Sequence, residues 1–351
     1  MINKLVLNLI AEVMGWDNDR ATREYSWLRL MSSVKYDGYS DFRAGIGFLE
    51  SLVTWLRQFS KEDRITAYSF VRNRLVYISE AEMQRLIEML IPETVTPYLR
   101  RAAAVETDIK PYEVWGNPKG VNAFNRLLRR CLFIGLSDGS RVDILRRSNS
   151  GRLVQDQVVP MLDIGMEKWV DLGNHLRKEQ GEKARFDNVY LIDDFTASGT
   201  TFIRNVEGKW KGKLQKFNNV LCNARGELKD DFPISNDYTL HIHHHVSTQQ
   251  ARETLECRVA EACEKWAECS FTRVEITEGI RLPQGLKMTA GDGDPMLPVC
   301  DAYYDDQLYQ RLKKHCDEAG QNDMRHGYAY CALPLVLEHN TPNNSISLLW
   351  A

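Results

Sequence analysis

Two adjacent carboxylates, Asp193 and Asp194, close an apolar run of strand-forming residues, Val189 to Ile192. A loop of small and hydroxylic residues follows: Thr196, Ala197, Ser198, Gly199, Thr200 and Thr201. Such a loop can offer several backbone N–H groups and hydroxyls to one anion, and a helix starting behind it would add the positive end of its dipole. Paired carboxylates are poorly suited to the same phosphate. They suit vicinal hydroxyls or a hydrated cation. The spacing therefore serves sugar hydroxyls beside a sugar phosphate.

The run from Asn188 to Phe202 resembles the phosphoribosyl pyrophosphate (PRPP) loop of type I phosphoribosyltransferases. That motif has four apolar residues, an acidic pair, two apolar residues, two small or hydroxylic residues, glycine, any residue, and a small or hydroxylic residue. Asp193 and Asp194 match the acidic pair, and Ala197, Ser198, Gly199 and Thr201 match the phosphate loop. The resemblance implies that the two aspartates hold the ribose 2′ and 3′ hydroxyls and that the loop wraps the 5′-phosphate. Tyr190, Phe195 and Thr196 depart from the usual residues. Purine-salvage members often carry an aspartate where this chain has Ala197, which argues against purine-salvage chemistry.

Ser137, Asp138, Gly139 and Ser140 lie where the family has its pyrophosphate loop, with Arg141 placed to meet a phosphate bidentately. A plain turn with an Asx cap is the other reading. Arginines accumulate from Arg126 to Arg152, and they suit a polyanion, a nucleic-acid partner or simply a solvated helix face. His241, His243 and His245 alternate on one strand face. Neighbouring histidines on one strand rarely close a tetrahedral site, so we assign no metal ligands and expect strand-edge packing, or one histidine near a sugar-base pocket. Asp292-Gly-Asp294-Pro reads as a turn, and Glu338 to Ser345 as a long hairpin turn or as a polar rim for a base or partner.

That C-terminal run, with Lys35-Tyr-Asp37 and Trp55 to Phe59, is similar to phosphoribosyltransferase-like proteins of bacterial conflict systems, including those of retron antiphage cassettes. The resemblance implies an effector held silent until infection, with reverse transcriptase/msDNA nucleoprotein and a DNA-binding protein as partners and PRPP with Mg²⁺ in the site. It leaves the acceptor, and catalysis itself, open. A non-catalytic nucleotide-sensing or partner-binding module on the same fold is the alternative.

The positioning elements follow from period and punctuation. Residues 1–120 read as a helical N-terminal domain: Phe48, Leu52, Trp55 and Phe59 recur at helical spacing, and Ser79 to Glu82 forms a capping box before a helix that Pro92 ends. Residues 121–351 read as the α/β domain, a parallel sheet flanked by helices. Its expected strands are Cys131 to Leu136, Val189 to Ile192, Phe217 to Cys222 and Tyr238 to Val246. Its expected helices are Arg141 to Arg147, Met166 to Glu179 and Gln249 to Trp266. Ligands of such sheets sit at the carboxyl ends of strands, and both loops fall there.

The 351 residues carry a net charge of −3, so no global field argues for nucleic acid or an acidic membrane. No apolar run approaches the roughly 20 residues of a membrane helix, and the N-terminus lacks the pattern of a signal peptide. The eight cysteines include no Cys-x-x-Cys pair and read as reduced thiols. A cytoplasmic protein that can oligomerise is the expectation.

Overall fold

The computed structural model describes residues 2–37, 47–318 and 321–350. In chain order the elements are helices α1 (Ile2–Met14), α2 (Asn18–Met31), α3 (Phe48–Arg57) and α4 (Asp63–Asn73), strand β1 (Val76–Ile78), then α5 (Glu80–Met89), α6 (Thr96–Thr107) and α7 (Pro118–Arg129). Next come β2 (Cys131–Gly135), α8 (Val142–Ser148), β3 (Val158–Val159), α9 (Met166–Gln180), β4 (Phe186–Thr196), β5 (Arg204–Val206), β6 (Lys209–Lys211) and α10 (Lys213–Leu228). The chain finishes with β7 (Ile234–Thr248), α11 (Gln249–Lys265), β8 (Arg273–Leu282), α12 (Met296–Ala302), α13 (Asp306–Glu318) and β9 (Leu335–Leu337).

Two compact units result, Met1–Met83 with Pro283–Ala351, and Gln84–Leu282. The chain leaves the helical unit inside α5 rather than at residue 120, and it returns there after β8. The helical unit is closed by apolar faces of α1, α3 and α4 together with α12 and the C-terminal Ile346 and Leu348. Within it, β9 pairs in parallel with β1, with Val76 opposite Leu335 and Leu337 opposite Ile78. A tight antiparallel turn follows Leu337, whose N–H and carbonyl exchange bonds with Asn340 at 2.9 and 3.2 Å. Among the described residues no antiparallel strand continues it, so the long hairpin expected over Glu338 to Ser345 is reduced to this turn. The Leu333–Ser345 bridge is also parallel, and Ser347–Leu349 is a 3₁₀ turn.

In the second unit five parallel strands run in the order β3-β2-β4-β7-β8. The α/β class expected from alternation is the one found. Sequence order reverses at the β2/β4 pair, because β2 continues to β3 on one side and lies against β4 on the other. A crevice opens at such a switch point beyond the carboxyl ends of the strands.

Side-chain alternation divides the sheet into two faces. One carries Leu132, Ile134, Val189, Leu191, Leu240 and Ile242 against α9, α10 and α11. The other carries an aromatic row. Phe133, Tyr190 and His241 stand opposite one another, the first two rings 5.0 Å apart and the second pair stacked at 4.1 Å. Tyr98 of α6 meets His241 edge-on at 4.6 Å.

The segment Phe217 to Cys222, expected as a strand, lies inside α10. Leu214, Phe217, Leu221 and Ala224 are buried at helical spacing. A six-residue window hid that period, because short apolar runs do not separate strand from helix. Pro92 sits in a π-helical turn, Leu90–Val95, which joins α5 to α6 and ends the regular helix at Met89.

Trp169 of α9 is wholly buried against the sheet and Phe232. Its replacement by alanine is expected to lower unfolding stability by about 3–5 kcal/mol, read as a shift of the urea midpoint at unchanged slope.

Candidate functional site

The β2 and β4 ends carry the two loops singled out in the sequence, and parallel pairing fixes their separation. Gly135 stands opposite Ile192, and the Leu136 N–H donates to the Ile192 carbonyl at 2.9 Å. Beyond that pair the Ser137 hydroxyl donates to Asp193 Oδ1 at 2.6 Å, joining one loop to the other. The loop then turns back on itself, the Ser140 hydroxyl donating to the Ser137 carbonyl at 2.6 Å. Gly135 is required at this turn, since a Cβ there would overlap the Pro160 carbonyl and the Ser140 hydroxyl. A Cβ on Gly139 would lie 2.5 Å from Asp194 Oδ2, so the loop backbone rests against that carboxylate.

The two aspartates point to opposite faces of β4, as strand alternation demands. Asp193 shares the face covered by α10 and is 2% exposed, whereas Asp194 turns toward Gly139 and is half-buried. Burial raises the Asp193 carboxyl to about 6 and Asp194 adds to the rise, while the Lys213 ammonium and the Ser137 hydroxyl oppose it. Lys213, the first residue of α10, forms an ion pair with Asp193. No motif announced Lys213. It lies twenty residues downstream of its partner and reaches it only through the fold.

The Thr196–Thr201 loop is buried from Thr196 to Gly199 and opens at Thr201. Thr248, which caps α11, donates its hydroxyl to the Ala197 carbonyl at 2.5 Å. Gly199 takes φ +74, and a Cβ there would press on Thr254 of α11. Ser198 and Thr200 hydroxyls lie 2.8 Å apart across the turn. The helix expected directly after the loop is displaced. The β5–β6 hairpin comes first, and α10 begins only at Lys213. Its N-terminus nevertheless meets the loop, with the Lys213 and Leu214 N–H groups donating to the Thr201 and Phe202 carbonyls at 3.2 and 3.0 Å. Gly212, at φ +111, permits that approach, since a Cβ would overlap Phe202.

Four of the five β7 positions from 241 to 245 are histidines. His244 lies opposite Asp193 in the β4–β7 register, and its ring meets Phe202 edge-on. His245 reaches the Ser140 carbonyl through Nε2 at 3.2 Å, so that nitrogen carries the proton. His243 bonds Thr277, and His241 bonds Asn188 at 3.0 Å. The sequence suggested strand-edge packing or one histidine near a sugar-base pocket; β7 is instead an inner strand, between β4 and β8, and its histidines are buried. Among the described residues no group of three His, Cys, Asp or Glu side chains is arranged to hold a metal by itself.

Arg141 sits half-buried at φ +43, directly ahead of α8. The rest of the arginine-rich stretch is largely committed elsewhere. Arg129 is buried between Asp156 and Glu179, Arg130 pairs with Asp187 at 3.2 Å, and Arg126 pairs with Glu106. These guanidiniums brace α7 against its neighbours. Asp138 is exposed at the loop tip. All eight cysteines are unbridged, and among the described residues no helix is long and apolar enough to cross a membrane.

An open parallel sheet with two loops meeting at its switch point, one acidic-and-hydroxylic and one glycine-containing, describes a phosphoribosyltransferase-like protein. The family model described as PRTase-CE matches residues 52–351, and the chain belongs to that family. No curated protein and no solved structure matches it.

Burial holds His241 and His244 down to about 3 and His245 to about 4, with His243 well below its ordinary value. The unfolded chain therefore binds more protons than the folded one from about pH 6.5 downward, and these groups lose stability as the pH falls through that window. Asp193, with its raised value, acts oppositely between about pH 4 and 6. Four imidazoles outweigh one carboxyl. Unfolding free energy is expected to drop on acidification from pH 6.5 to 4.5, by at most about 4 kcal/mol per pH unit, as measured by urea titration at each pH. Lys213→Met should move the Asp193 midpoint upward, by about one unit or more. Carboxyl ¹³C NMR reads that shift directly, and an unmoved midpoint would remove the ion pair from the account.

Proposed function

We propose that this chain is a phosphoribosyltransferase-like effector of a bacterial antiphage defence system, acting on PRPP or a related ribosyl phosphate or nucleotide with Mg²⁺. The observation that carries the reading is the junction of the two loops at the sheet's switch point, where Ser137 bonds Asp193 and Gly139 rests on Asp194. In it, Asp193 and Asp194 take the ribose hydroxyls, and Thr196 to Thr201 take the 5′-phosphate. Ser137 to Ser140 and Arg141 stabilise the leaving pyrophosphate, an electrostatic role that commonly carries much of catalysis. The C1–O bond breaks with its electron pair passing to pyrophosphate, leaving an oxocarbenium-like centre for the acceptor, as in glycoside chemistry.

The oxygen-rich donor set fits a hard cation, and Mg²⁺ would take most of its ligands from pyrophosphate and ribose oxygens. His245, through Ser140, sets the position of the pyrophosphate loop. A cytoplasmic setting and a nucleoprotein partner, reverse transcriptase with msDNA and a DNA-binding protein, belong to the same proposal. The partners are supported by the resemblance of the flanking motifs, and the setting by eight unbridged cysteines.

One observation favours the second reading, a nucleotide-sensing module without turnover. Asp193 is already engaged by Lys213 and Ser137 and is easily protonated near pH 6. A carboxyl so occupied suits a site that binds weakly until a partner rearranges it.

Isothermal titration with PRPP and Mg²⁺, with pyrophosphate release followed in the same samples, separates these readings. Binding with release, both lost in Asp193→Asn/Asp194→Asn, is the outcome expected of the enzyme, with affinity rising as the pH passes upward through about 6 because Asp193 must ionise. Binding without release would establish the sensor. Full release by the folded double variant would sink both.

A further inference from the structure

The helical unit contains a cavity of about 390 Å³ at the ends of β1 and β9, a volume in the range of small-molecule sites. All its lining residues belong to that unit. Three aromatic rings form one wall. Tyr36 and Phe48 stack with centroids 4.0 Å apart at 15°, and Tyr77 of β1 closes on Tyr36 at 5.1 Å. Trp55 completes the lining, its indole fixed by a 2.7 Å bond from Nε1 to the Leu348 carbonyl. The opposite chemistry comes from Asp37, Glu338 and Asn340.

The carboxylates are the informative part. Glu338 is 5% exposed and bonds His339 Nδ1 at 3.2 Å. Asp37 accepts the Phe48 N–H at 2.7 Å through Oδ1 and the Ser32 hydroxyl through Oδ2. An ionised carboxylate has about four acceptor positions, so Asp37 retains capacity for a further donor. Desolvating carboxylates beside aromatic faces is costly unless N–H donors meet them. A partner that fits has a flat π-face to lie on the rings and N–H groups at its edge. Among the described lining residues there is no lysine or arginine.

We propose that this cavity binds a nucleobase bearing an exocyclic amine. The ring lies against Tyr36, Phe48 and Tyr77, stacking being worth about 1–3 kcal/mol per base. The amine donates to Asp37, and the Asn340 amide, exposed at the rim, meets the remaining ring edge. Sugar and any phosphate point outward. The site is separate from the one formed by Asp193 and Asp194, and it stands or falls independently of that reading.

The test uses the full chain and 2-aminopurine riboside, whose emission is quenched by stacking on aromatic rings. Saturable quenching with Kd below about 1 mM is expected, competed by adenosine and cytidine but not by uridine or ribose 5-phosphate. Tyr77→Leu and Asn340→Ala should each weaken it about tenfold or more, and Asn340→Ala, at an exposed position, keeps the test valid if Tyr77→Leu fails to fold. Asp193→Asn/Asp194→Asn should leave it unchanged. No saturable quenching, equal competition by uridine, competition by arginine or spermidine in place of nucleosides, or loss in the Asp193/Asp194 variant would each overturn the proposal.

Discussion

The arrangement at the sheet edge depends on one ionisable group held nearly out of water, the Asp193 carboxyl. A lone buried carboxylate is strongly disfavoured. This one is offset by a hydroxyl from the neighbouring loop and an ammonium from the helix behind it. Each partner fixes an element. Ser137 ties the β2 loop to β4, and Lys213 ties the start of α10 to the same carboxyl. The β5–β6 hairpin leaves the loop and returns so that α10 can begin beside it, and Gly212 makes the return close enough.

The same economy of space explains β7. Fifteen residues long and buried along most of its length, it carries four histidines where an apolar strand is usual for a central parallel position. Burial keeps all four neutral, and a neutral imidazole is a flat ring with one donor and one acceptor. His241 uses its flatness, stacking on Tyr190, and His245 uses its donor, holding Ser140. The strand serves as core and as scaffold for the site at once.

The helical unit gains its character from chain return. Its core needs the C-terminal Ile346 and Leu348 as well as α1, α3 and α4, and β1 has no partner until β9 arrives some 250 residues later. The run from Glu338 to Asn340 lines a cavity there, in the tight turn that closes between Leu337 and Asn340 at the end of β9.

The PRPP-like loop, the glycine-containing loop, the capping box at Ser79 and the helices from Met166 and Gln249 were legible, because each rests on local chemistry that neighbours in sequence supply. The α10 segment was misjudged over six residues, since its period shows only across the whole helix. Sequence by itself determined that the acidic pair with its hydroxylic loop and the glycine-containing loop stand at the carboxyl ends of parallel strands. Only the tertiary structure decided that Lys213 reaches Asp193, that His245 reaches Ser140, and that the chain closes its first unit with its last residues. Those outcomes depend on register, on burial and on pairings between residues far apart in the chain, and no local pattern encodes a distance between strands.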